Sequence, residues 1–258
     1  MTVFTCDDNY ESILTCIYDA WASRLGHDNV RLQKGPVLQP DLFSDYVHIE
    51  ADPIKAEKVQ NSIIHKISAE AYDWIFYTTL SAEADAPDAI YRFLILGFQH
   101  GGKVTSMLTH PEVLRVMELQ RRVGNEAHSF REFIRFAGIK GSAYVSHIEP
   151  KNNCLIPLAW HFSDRMPSEN WIIVDDCRRT AVVHPKDEDF YMQYLTDEEW
   201  ETLSKTEEIQ DGYRSLWCEF FDAIGIKERE NYACQRNMFP IWMRKHAVEF
   251  MREKTAQK

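Results

Sequence analysis

Apolar residues recur at three- and four-residue spacing through Tyr10, Ile13, Leu14, Ile17, Tyr18 and Trp21, behind the capping candidates Asp8 and Asn9. This spacing predicts a helix from about Tyr10 to Ser23 with one apolar face. A loop rich in Gly, Pro and Gln follows, from Gly35 to Pro40, and then a short strand at Val47 to Glu50. Asp52 before Pro53 opens a second helix, since Asp caps well and Pro suits the first helical position, and Ile54, Val59, Ile63, Ile64 and Ile67 form its buried stripe. Further helices are predicted at about 69–80, 87–99 and 111–130. The half 1–127 therefore reads as mainly helical.

The pattern changes after His128. Arg131 to Phe136 and Ala143 to Ile148 read as two strands about the turn Gly138 to Gly141, because aromatic and branched residues flank a glycine-bearing loop of hairpin length. Trp171 to Val174 and Thr180 to Val183 form a second pair about the charged turn Asp175 to Arg179. A short helix from Pro157 to Arg165 lies between the pairs. Thr196 with Glu199 fits a capping box. Another helix begins near Gln210 and carries Tyr213, Leu216, Trp217, Phe220, Phe221 and Ile224 as a core face, ending at Gly225 as a left-handed cap. The expected class is α+β: a mainly helical half, 1–127, packed against an antiparallel sheet of two hairpins with helices on one side, followed by C-terminal helices in 128–258. The two halves form two domains or one continuous one.

Composition narrows the function. With 45% hydrophobic residues in 258, the chain can bury a sizeable core without disulfide or metal staples. No stretch approaches the roughly 20 apolar residues of a membrane span, and acids stand at the start where a secretory signal would carry lysines. The cytoplasm is the expected location. The six cysteines are scattered without a C-x-x-C pair, so buried, reduced thiols are expected. A net charge of −11 disfavours wholesale coating by nucleic acid but allows a local basic patch. The charge is uneven, with an acidic stretch from Lys186 to Asp211 and a more basic tail from Lys227 to Lys258.

Phosphate-binding loops, the dinucleotide glycine fingerprint, H-E-x-x-H and the nucleophile elbow are all missing from the sequence. Polar residues in apolar frames remain. His161 and Arg165 share a helix face, and Asp175 follows an apolar strand, a position that suits a catalytic carboxylate and equally a turn opener. Arg178 can pair with Asp175 or meet phosphate. His128, Glu132 and Arg135 bracket a helix-to-strand junction. A metal site of His147, His161 and Asp175 can be drawn, but no spacing demands it, so no metal and no cofactor are expected. In the tail, Arg229, Asn231, Gln235 and Arg236 precede Phe239 to Trp242. Arginine clamps phosphates, amide side chains read base edges, and aromatics stack on bases.

Together these residues carry a family resemblance. Tyr10 to Leu14, Glu126-Ala127-His128, Arg135-Phe136, Ile148-Glu149-Pro150, His161-Phe162, Trp171 to Ile173 with Asp175 and Arg178, Tyr213 with Leu216-Trp217, and Ile226 to Arg229 with Asn231, Gln235-Arg236 and Pro240 resemble a bacterial family of DNA-metabolism or DNA-repair proteins whose shared domain is of unknown function. Some members are fused to a uracil-DNA-glycosylase-like domain, and others are encoded beside a radical S-adenosylmethionine protein. This sequence has neither a glycosylase segment nor a three-cysteine cluster motif, so iron–sulfur chemistry would belong to the partner. The resemblance implies a DNA setting, with Arg178, Arg229, Asn231, Gln235 and Arg236 on DNA. Two alternatives stay open: a protein-interaction module without DNA contact, and a hydrolase or nuclease using Asp175 and His161.

Overall fold

A computed structural model describes residues 1–37, 39–139, 143–205 and 212–250, with side chains at all of these except 212–214 and 227. The chain divides into two compact units, Met1–Asn125 and Glu126–Lys258. The α+β class holds, with helices and sheet in both units. Among the described residues, no helix is long and apolar enough to cross a membrane.

In the first unit, β1 (Thr2–Cys6) is the middle strand of a parallel sheet between β2 (Val30–Lys34) and β3 (Asp45–His48). Of these strands only β3 overlaps the one expected at Val47 to Glu50, within a half that is otherwise mainly helical. Parallel strands need a crossover, and α1 (Tyr10–Ala22) supplies the one from β1 to β2. The run Val3 to Cys6 is buried throughout, and so lacks the alternation that marks a half-exposed strand. Helix α2 (Pro53–Lys66) starts as expected: the Asp52 carboxylate accepts from the amides of Ile54 at 2.9 Å and Lys55 at 3.2 Å. Helices α3 (Ala69–Thr79) and α4 (Ala86–His100) follow, and α5 (Pro111–Phe133) runs through the boundary between the units. Lys34 is buried yet satisfied, because its ammonium pairs with Asp8 and donates to the carbonyls of Thr79 and Ser81.

The second unit corrects three expectations. Residues 131–133 are the last of α5, not a strand, because Ala127 and Phe130 continue the buried helical stripe. The strand β4 is only Ala137–Ile139, antiparallel to β5 (Ala143–Ile148); Lys140 and Gly141 of the expected turn lie outside the described residues. The sheet is mixed: β5 runs parallel to β6 (Trp171–Asp175), while β7 (Thr180–His184) and a further strand, β8 (Tyr191–Tyr194), complete the order β4-β5-β6-β7-β8 antiparallel. Helix α6 (Leu155–Arg165) is long enough to return the chain between β5 and β6, which makes the parallel pairing possible.

Helices also cover both faces of this sheet. Trp171, Ile173 and Val182 pack with Leu155, Leu158 and Phe162 of α6 and with Phe239 and Met243 near the C-terminal end. Val145, Val174 and Ala181 point the other way, against Trp200 and Leu203 of α7 (Asp197–Ser204). The capping box on α7 forms as expected, between Thr196 and Glu199.

Helix α8 (Gly212–Ile224) corrects a further expectation. Leu216, Trp217, Phe220 and Ile224 are exposed, while Cys218 is buried and Phe221 packs edge-on to Phe250. The helix seats itself along the Cys218–Phe221 edge, so of the stripe read as core only Phe221 among the described side chains packs inward. The expected start at Gln210 lies outside the described residues. Gly225 is not in the left-handed region; among the described glycines only Gly26 and Gly101 have positive φ. Four of the six cysteines are buried, Cys177 and Cys234 are exposed, and all are free thiols.

Candidate functional site

The C-terminal ends of the parallel strands β5 and β6 gather most of the polar chemistry of the second unit. Asp175, fully buried, ends β6. Its Oδ1 accepts from the backbone amides of Cys177 at 3.0 Å and Arg178 at 3.1 Å, and its Oδ2 takes the Arg178 guanidinium at 2.9 Å. The same guanidinium reaches across to the loop after β5, donating to the carbonyls of Pro150 at 3.2 Å and Lys151 at 2.6 Å. Glu126 holds that loop from another direction, through the amides of Lys151 at 2.6 Å and Asn152 at 3.1 Å. Asp175 and Arg178 therefore act as a clasp that fixes the loop. The Arg178 guanidinium is committed to protein oxygens, not presented to phosphate.

The neighbouring acid, Asp176, is the centre of a cluster that spacing alone does not reveal. His147 on β5 is buried and sets Nδ1 3.1 and 3.2 Å from the two Asp176 carboxylate oxygens, with Nε2 3.1 Å from the Leu203 carbonyl of α7. Both ring nitrogens thus lie within hydrogen-bonding distance of oxygen atoms. The Trp200 indole donates to Asp176 Oδ1 at 2.9 Å. Burial pushes the Asp176 carboxyl upward, but the hydrogen bond and charge of His147, the Trp200 bond and nearby His246 outweigh it, so its net shift is downward.

His246, the last residue of the 3-10 turn Ile241–His246, has its ring inclined by 29° to that of His147, at 6.1 Å between centroids. Its Nε2 is 3.8 Å from Asp176 Oδ2 and 3.9 Å from Glu149 Oε1. Glu149 stands just past β5 and also pairs with Lys245. Lys151 lies over the Trp242 ring at 4.7 Å from its centroid. The cluster thus joins four elements: the end of β5, the end of β6, α7 and the 3-10 turn.

His161 is half-buried on α6, and no hydrogen bond or ion pair joins it to Asp175 among the described residues. Burial, then the charges of Arg131 and Arg165, hold its pKa below the ordinary histidine value. The drawn metal set of His147, His161 and Asp175 does not assemble, because His147 is bonded instead to Asp176. His128 and Glu132 form an exposed pair along α5 at 3.3 Å. Arg135 bonds the buried carboxylate of Glu249 at 2.6 Å and lies over the Trp217 ring. That arginine braces the C-terminal segment.

The tail residues behave differently. Arg229, Asn231 and Gln235 line one open groove of about 450 Å³ with Ile224, Ile226 and the exposed Tyr232. Asn231 also caps α9 (Tyr232–Met238), its Oδ1 accepting from the Cys234 amide at 3.0 Å. Arg236 is exposed on α9 and bonds the Tyr232 carbonyl of its own helix at 3.2 Å. Arg244 of the 3-10 turn reaches Gln235 Oε1 at 3.4 Å, so one turn touches both the groove and, through Lys245 and His246, the acidic cluster. Arg178 is not a groove residue.

Sequence reasoning singled out Asp175 and passed over Asp176, Glu149, Trp200 and His246. The available signal was the doubled acid at a strand end, where the first acid is consumed by the turn and the second is left for other work. A family model described as a domain of unknown function, DUF4130, matches residues 84–249. No curated protein matches the chain.

Proposed function

Starting from a chain that belongs to the DUF4130 domain family, we propose that the protein binds DNA in a DNA-metabolism or DNA-repair setting, through the groove of its second unit. The observation that carries this is the convergence of Arg229, Asn231, Gln235 and exposed Tyr232 on one groove. A guanidinium meets phosphate, carboxamides meet base edges, and Tyr232 with Ile224 and Ile226 offers apolar surface to an unstacked base. An open groove suits a single strand better than a closed pocket would. The resemblance to DNA-repair proteins supports the same reading and adds a radical S-adenosylmethionine enzyme as partner.

Fluorescence anisotropy with single- and double-stranded oligonucleotides at two salt concentrations tests the proposal. Binding that weakens with salt, and weakens at least about tenfold on Arg229→Ala, is expected, since each phosphate contact releases counterions. An absence of binding at low salt overturns it. The exposed apolar edge of α8, Leu216 with Phe220, favours a second reading, a docking module for the partner enzyme. Association of the two purified proteins that survives nuclease treatment and is lost in Phe220→Asp would support that one.

A further inference from the structure

We infer that Glu149, Asp176 and His246 form a binding site for a divalent first-row transition-metal ion. Each offers one donor atom, and the three donors lie within 4.8 Å of one another. His246 Nε2 is 3.8 and 3.9 Å from the two carboxylates. A tetrahedral ion with bonds of roughly 2.1 Å needs donors about 3.4 Å apart, so with all three donors within 4.8 Å of one another the ligands close by roughly half an ångström each.

The surroundings are those of a supported site. Asp176 has its Oδ1 held by the Trp200 indole, while its Oδ2 faces His246. Ligating carboxylates are commonly fixed in this way by outer hydrogen bonds. His147 adds a second bond from the sheet side, and the clasp of Arg178 on Pro150 and Lys151 fixes the loop that carries Glu149. All three ligands are partly buried, as a site shielded from bulk water requires.

Donor chemistry selects the class of ion. One imidazole with two carboxylates suits zinc, manganese, iron or cobalt, whereas magnesium and calcium prefer an all-oxygen shell. Three protein donors leave a position for water, the pattern of catalytic metal sites as opposed to four-ligand structural ones. Lys245 is the built-in competitor: its ammonium rests on Glu149, and being half-exposed it can swing to solvent when a dication arrives.

The inference does not rest on DNA binding, and its test contains no DNA. The full chain is titrated with cobalt(II), following ligand-field absorption, with zinc(II) in competition and equilibrium dialysis for stoichiometry. One equivalent is expected to bind and be displaced by zinc. His246→Ala and Glu149→Gln should each weaken affinity by at least about tenfold, since even outer-shell changes cost 10–100-fold, and Lys245→Met should tighten it. Circular dichroism establishes which variants fold; Glu149→Gln, at a position that already meets solvent, carries the loss arm if His246→Ala does not fold. The site is overturned if the wild type binds no ion, or if a folded ligand variant binds as the wild type does.

Discussion

Asp175 and Asp176 are chain neighbours, yet their carboxyls shift in opposite directions. Burial raises Asp175, and the Arg178 charge and turn amides do not fully offset it. For Asp176 the His147 bond and charge, the Trp200 bond and His246 overcome burial. A carboxyl whose folded pKa is depressed stabilises the fold above its unfolded value, about 3.9, and that stability is lost as pH falls through the folded value. The wild type should therefore hold its full advantage over Asp176→Asn between neutrality and about pH 4, and lose it progressively below, in urea midpoints measured across pH. Arg178→Ala should cost about 3–5 kcal/mol at neutral pH, because it strands a buried charge, and Arg178→Lys should not restore it, because one ammonium cannot replace a fork that spans Asp175, Pro150 and Lys151. Unchanged stability in Arg178→Ala would instead leave the residue for nucleic acid. The Asp175–Arg178 pair was legible in the sequence because its partners are three residues apart and meet across one turn. The His147–Asp176–Trp200 bonds were not, because strand register and helix docking bring those residues together from far along the chain. At His161, burial and two nearby arginines lower the pKa, so its ring should titrate below the ordinary value of about 6.5 in an NMR pH series.

Among elements, what is locally determined reads well and what depends on neighbours does not. Asp52 and Thr196 announce their helices because a cap and its amides lie within one turn. The overrun of α5 into 131–133 was misread because a short stretch of mixed aromatic and charged residues satisfies helix and strand periods alike, and only Ala127 and Phe130 upstream decide it. The parallel β5–β6 pairing was missed for a related reason: two strands flanking a helix can be hairpin members or a crossover, and composition does not separate them. In α8 the apolar stripe is real, but which part meets the core depends on Val248 and Phe250, far along the chain. Helix α9 allows the two roles of Asn231 to be separated. Serine also caps well, so Asn231→Ser should leave the unfolding free energy from urea titration within a few tenths of a kcal/mol of wild type, whereas Asn231→Ala should cost about 1 kcal/mol. If the carboxamide also meets a base, DNA affinity should fall in both variants; loss of affinity in Asn231→Ala alone would assign the residue to capping only.

For the molecule as a whole, the net charge of −11 sets a limit that any DNA interaction must respect. A chain this acidic repels a polyanion at long range, so attraction has to come from a few cations placed at short range, within the Debye length of about 10 Å at 0.1 M salt. Among the described residues of the groove and the adjoining helix these are Arg229, with Glu230 in the same lining, and Arg236; Arg178 and Arg135 are held by Asp175 and Glu249 and have little to give to phosphate. Two phosphate contacts predict that log affinity for duplex DNA falls against log salt with a slope of about −2, less steep for a single strand. Arg229→Ala should reduce that slope by about one while leaving base preference intact. A much steeper wild-type slope would require a broad basic face, and a slope unmoved by Arg229→Ala would place DNA away from the groove. Because Glu149 and Asp176 add negative charge in the same unit, filling the proposed metal site should also strengthen DNA binding modestly at low salt, an effect that must vanish in Glu149→Gln. Anisotropy titrations with and without zinc(II) read both numbers in one series, and they separate a groove that binds alone from one that works with the ion.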